Sequence, residues 1–179
     1  MKLQRSEKID LKIKGKKLEL EDVAVIGGDI FVLSSFNNEA KRKNFLFAQK
    51  VDYKNLRLSK DFKKIGEINT KNKYKEGNFD LNISKDSSKI LIYNEKPFNK
   101  KEQEVFTLRV FDNQFNELWK KKIRLPYPDK QFRVKEYQVD NQGNVYLLGM
   151  LFENGTKTKK NGKPNFLSLI HISEPTRPY

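Results

Sequence analysis

Apolar residues along the chain fall into short runs broken by turn residues, and no stretch keeps a helical period. Val23 to Ile26 ends at Gly27-Gly28-Asp29, and apolar positions resume over Ile30 to Leu33. That arrangement predicts a hairpin whose glycines supply the positive φ of a tight turn. Phe79, Leu81 and Ile83 alternate, Lys85-Asp86-Ser87-Ser88 turns the chain, and Ile90 to Tyr93 follows as an apolar strand. Tyr137 and Val139 alternate, Asp140-Asn141-Gln142-Gly143 turns, and Val145 to Leu148 follows. The strands after the three turns begin at Ile30, Ile90 and Val145, a recurrence every 60 and then 55 residues. Recurrence on that scale marks a repeat architecture.

A polar stretch follows the second strand of each repeat: Asn37 to Asn44, Lys96 to Gln103 and Glu153 to Pro164. A third strand comes next, at Phe45 to Ala48, at Val105 to Phe111, and starting at Phe166. A fourth closes the two complete repeats, over Phe62 to Ile68 and over Leu118 to Leu125, with Pro126 expected to stop it. Four antiparallel strands cannot cover both faces of their own sheet, so such sheets stack as the blades of a β-propeller. The predicted fold is therefore all-β, an incomplete β-propeller of four-stranded antiparallel blades, about two and a half of them. Residues 22–68 form the first blade, 79–125 the second and 132–166 part of a third, while 1–21 supply the outer strands of a preceding blade or a lead-in. Because rings hold roughly four to eight blades, the chain is expected to be a fragment.

Composition supports a packed core. Leu, Ile, Val and Phe number 52 of 179 residues, or 29%, above the roughly 20% below which a charged chain stays disordered. The longest apolar run, Val145 to Phe152, contains a glycine and falls far short of the roughly 20 residues that cross a bilayer. The opening MKLQRSEKIDLKIKGKKLEL has no apolar core of a signal peptide. There is no Cys, which removes disulfides and thiolate chemistry. His171 is the only His, so residues 1–166 lack the commonest general base and metal ligand. The net charge is +14, from 37 Lys and Arg against 23 Asp and Glu, and the cations are 30 Lys to 7 Arg.

Two resemblances add to this reading. Leu167 through Arg177 (LSLIHISEPTR) resembles, residue for residue, the translation of a transposon-based sequencing adapter, so 167–179 is expected to be a non-native, adapter-derived tail. The stretch from Phe111 to Trp119 (FDNQFNELW), Leu125-Pro126-Tyr127, and Val139 to Gly149 (VDNQGNVYLLG) resembles uncharacterised β-propeller-like proteins of Bacteroidetes, over roughly residues 79–166. That resemblance implies a cell-envelope or secreted protein whose export signal would lie upstream.

Candidate chemistry is sparse. Basic runs occur at Lys12 to Lys17, Lys120 to Lys122 and Lys157 to Lys163, and such runs with interleaved aromatics can bind polyanions. The scarcity of Arg disfavours nucleic acid, and Lys on outer strands also blocks edge pairing. Asp140 to Asn144 has the oxygen density of a calcium loop without its acidic spacing, and reads as an Asx-type turn, as do Asp86-Ser87-Ser88 and Asp112-Asn113-Gln114. The carboxylate pairs Glu19/Glu21 and Glu102/Glu104 have the strand spacing of an acid and base on one face, but solvated positions suit them better. Trp119, Phe115 and Phe111 are expected to pack between blades, and Asn154-Gly155-Thr156 is a glycosylation sequon without weight in a bacterial chain. No catalytic, cofactor or metal residue is assigned. The expected function is a non-enzymatic scaffold or binding protein with protein or glycan partners. The alternatives are a basic polyanion-binding module, or part of an enzyme whose active site lies in further blades.

Overall fold

The computed structural model describes residues 5–70, 78–95, 103–128, 131–152 and 166–172. Among the described residues its elements are antiparallel strands with one 3-10 turn, gathered in sheets whose strands follow one another in chain order as in propeller blades, so the fold is all-β as the sequence predicts. It forms two compact units, residues 1–79 and 80–179.

In the first unit, β1 (Lys12–Ile13) and β2 (Lys16–Lys17) make a small hairpin through Lys14 and Gly15, both at positive φ. The main sheet holds β3 (Glu19–Ile26), β4 (Asp29–Asn38), β5 (Lys43–Asp52) and β7 (Lys63–Asn69), with the short β6 (Arg57–Leu58) pairing the end of β5. Gly27 and Gly28 turn β3 into β4 at φ 57° and 84°; two successive left-handed residues match the twist of a tight hairpin. Leu33 lies opposite Ala48 and Leu46 opposite Ser35, and these four with Ile26, Ile65 and Ile68 are buried.

Three boundaries differ from the sequence reading. Glu19 and Leu20 belong to β3, opposite Ser35 and Ser34, so the first blade starts before residue 22; a bulge at Glu21 keeps Leu20 in register. The polar stretch 37–44 shrinks to a 3-10 turn over Glu39–Lys41, because the Asn38 side chain accepts from Lys41 N and Arg42 takes a left-handed conformation at φ 49°. Pro126 does not stop its strand, which runs on to Pro128. That strand is an edge, where a missing N–H costs no ladder bond.

The second unit begins within β8 (Asn78–Ile83) and continues with β9 (Lys89–Glu95), β10 (Gln103–Asp112) and β11 (Glu117–Pro128), in spatial order β8-β9-β10-β11. Beside them, β12 (Phe132–Val139), β13 (Val145–Leu151) and β14 (Phe166–Ile172) form a three-stranded sheet. β14 pairs β13 in continuous register from Leu151↔Phe166 to Val145↔Ile172. Residues whose sequence reads as an adapter therefore complete the third strand here, since a ladder needs only β-competent main chain.

The two sheets of this unit bury their facing sides together. Leu91, Phe106, Leu108, Val110 and Trp119 meet Tyr137, Val139, Val145, Leu147 and Ile172; each such side chain removed from water is worth about 1.5–3 kcal/mol. The Phe106 ring meets Tyr137 edge-on at 5.9 Å and 79°. Polar contacts fix the register between the sheets: Trp119 Nε1 donates to Gly143 O at 3.1 Å, and Val139 N donates to Asn82 Oδ1 at 2.9 Å. Trp119 thus packs between blades as its sequence context predicts.

Candidate functional site

The turn residues come first, because they decide which oxygens are free. Asp140 Oδ1 accepts from Gln142 N and Asn144 N, while its Oδ2 accepts from Asn144 Nδ2 and the Tyr146 hydroxyl. Asp112 accepts from Gln114 N, Asn116 N and Asn116 Nδ2 in the same way. Burial raises the Asp140 pKa, but the hydrogen bonds from Asn144, Gln142 and Tyr146 outweigh it and hold the carboxyl below its ordinary value. At Asp86, hydrogen bonds from Ser88 and Ser84 lower the carboxyl. These carboxylates spend their lone pairs on the turn itself, the Asx-type reading, and among the described residues no cluster of His, Asp and Glu could hold a metal.

Glu19 and Glu21 are both exposed on β3, and the bulge at Glu21 breaks the simple alternation that would put them on one face. Glu102 lies outside the described residues, so that pair is not assembled here. His171 is exposed on β14, stacked on Tyr146 at 4.7 Å. Lys12, Lys14, Lys16 and Lys17 sit on the exposed β1–β2 hairpin. Lys120, Lys121, Lys122 and Arg124 are exposed on β11. The run Lys157 to Lys163 and the Asn154 sequon lie outside the described residues.

The cavity that does gather chemistry was not singled out by sequence. It lies in the first unit where the β3–β4 turn meets the end of β5 and β6, with a volume of about 450 Å³, inside the usual range for ligand sites. Its charged lining is Asp29, Lys50, Asp52, Arg57 and Lys60, with Tyr53 at the mouth. Lys50 Nζ is 2.6 Å from Asp29 Oδ2. The corner carrying Tyr53 is tied down: Asp52 accepts from Lys54 N and Asn55 Nδ2, Asn55 Oδ1 accepts from Arg57 N, and Leu56 N donates to Asp52 O. Arg5 Nη1 donates to Lys54 O at 2.6 Å from outside the corner. Tyr53 is 70% exposed on this fixed frame. Among the described residues, Arg57 and Lys60 form no ion pair. The one hint in sequence is the run Asp52-Tyr53-Lys54-Asn55-Leu56-Arg57, turn formers enclosing an aromatic and a cation.

No family model matches the chain, and no curated protein matches it. Among solved structures it is similar to the endo-arabinase of Bacteroides thetaiotaomicron VPI-5482, at a TM-score of 0.48 and 11% identity, over 94% of this chain and 61% of that one. The chain thus spans less than two thirds of that protein's length, and at this level the likeness assigns no substrate. That solved structure is an enzyme, which runs against the expectation of a non-enzymatic protein, and the expectation is not kept.

Proposed function

We propose that this chain is the ligand-holding part of a propeller-type protein and binds an anionic polymer at the cavity beside Tyr53. The observation that carries this reading is the pair of cations, Arg57 and Lys60, that line a concave site without an ion-pair partner among the described residues. A guanidinium in that setting is a ready fork for an oxyanion. The net charge of +14 adds long-range attraction for a polyanion. Lys50 belongs to the Asp29 pair and contributes mainly by keeping that carboxylate neutralised.

Retention on immobilised heparin tests the reading. The protein is expected to bind at low salt and to elute as salt screens the contacts, and the double variant Arg57→Ala/Lys60→Ala is expected to elute at clearly lower salt. Co-elution of the double variant with the unaltered protein would assign the retention to the surface lysines and sink the cavity as the site.

A further inference from the structure

We propose that the anionic ligand of this cavity is a sugar acid, a hydroxyl-rich ring carrying one carboxylate; this rests on the anion-binding reading above. The argument is one of donors and acceptors. Two of the lining groups, Asp29 and Asp52, are carboxylates, and an ionised carboxylate only accepts hydrogen bonds. Lys50 occupies one site on Asp29 Oδ2, and Lys54 N and Asn55 Nδ2 one on each Asp52 oxygen; a carboxylate has about four such sites, so the remaining ones favour a ligand that brings donors as well as negative charge. Sugar hydroxyls supply donors, whereas a deoxyribose phosphodiester supplies none along its backbone and would set its phosphates against both carboxylates.

Charge and shape point the same way. Three cations, Lys50, Arg57 and Lys60, face two carboxylates in the lining, so the surplus matches a group of charge −1. The exposed ring of Tyr53, held on its hydrogen-bonded corner, offers a flat apolar surface at the mouth, suited to the C–H face of a pyranose. Arg57 and Lys60 would take the carboxylate, Tyr53 the ring, and Asp52 the hydroxyls.

Calorimetric titration of the full chain with trigalacturonate, neutral galactotriose and a thymidine tetranucleotide tests this. Trigalacturonate is expected to bind, Arg57→Ala to weaken it roughly tenfold, the effect of losing a charge-assisted hydrogen bond, and Tyr53→Ala by a factor of about 2–10. Tyr53→Phe is expected to restore binding, and the exposure of Tyr53 keeps these variants folded. Galactotriose binding equally well, the tetranucleotide binding as tightly, or Tyr53→Ala having no effect would each overturn the assignment. If heparin retention depends on Arg57 while trigalacturonate does not bind, the sugar acid is wrong and the anion site stands; if both are lost, the two readings fail together.

Discussion

The ring of Phe132 lies so close to Gly149 that a Cβ built on the glycine would sit 2.0 Å from Phe132 Cζ and 2.6 and 2.9 Å from its Cε atoms. Phe132 is fully buried and also stacks on Tyr127 at 5.8 Å and 9°, so the ring has nowhere to retreat. Gly149→Ala is expected to lower stability by about 1–3 kcal/mol, the cost of overpacking a core, read from urea denaturation. Gly28→Ala meets open space but takes a left-handed φ of 84°, and should cost about 1–2 kcal/mol by strain alone. A neutral Gly149→Ala would show that the β12–β13 pair opens freely.

The one Trp of the chain bridges two sheets through its bond to Gly143 O. Trp119→Phe keeps much of the packing and strands that carbonyl, which should cost about 1–3 kcal/mol. In the unaltered protein, Trp emission should shift together with far-UV circular dichroism on melting of the second unit. Loss of the Trp signal well before the strand signal would mean the two sheets separate before they unfold.

Glu67 sits between two lysines, 2.9 Å from Lys43 Nζ and 3.0 Å from Lys64 Nζ. Hydrogen bonds from Lys43 and then Lys64 lower its carboxyl from 4.5 to about 2. A depressed carboxylate stabilises the fold above its unfolded value, and that contribution fades as pH falls from 4.5 toward 2. The pair is partly exposed, so the loss should be about 1 kcal/mol after solvent screening. Glu67→Gln should flatten this part of the pH profile of the melting temperature; an unchanged slope would place the acid sensitivity elsewhere.

The glycine hairpin, the alternating strands and the Asp-led turns were legible because each is a local device, written within a few residues. Gly27-Gly28 suits a tight turn, and the Asp140 turn is closed by bonds among residues 140–144 with one more from nearby Tyr146. The bulge at Glu21 and the passage of β11 through Pro126 were not legible, since each depends on what the partner strand does. The cavity was hidden for the same reason. Lys50 and Asp29 stand 21 residues apart, and before the sheet forms each looks like any other solvated charge.

Self-association should arise from β3. It is an edge strand whose bulge puts Leu20, Val23 and Val25 on one face, opposite Ser34, Val32 and Ile30, and all three are more than half exposed. An open edge with an apolar row invites pairing with another chain. Val25→Lys is expected to raise the monomer fraction in size-exclusion chromatography with light scattering. An unchanged profile would move the sticky surface away from β3.

The corners at Asp112 and Asp140 behave as an interchangeable part. Asp112 N bonds Asn116 O at 3.0 Å and Asp140 N bonds Asn144 O at 3.0 Å, while the fourth residue, Phe115 or Gly143, donates back to the aspartate carbonyl at 3.0 or 3.1 Å. The first and fifth residues supply the side chains that close the corner, and the fourth, at left-handed φ in both, also carries a local duty: Phe115 is buried beside Phe111, and Gly143 offers its carbonyl to Trp119. Two hairpins with different strand sequences thus reverse the chain through one five-residue device, closed at its ends by an aspartate and an asparagine.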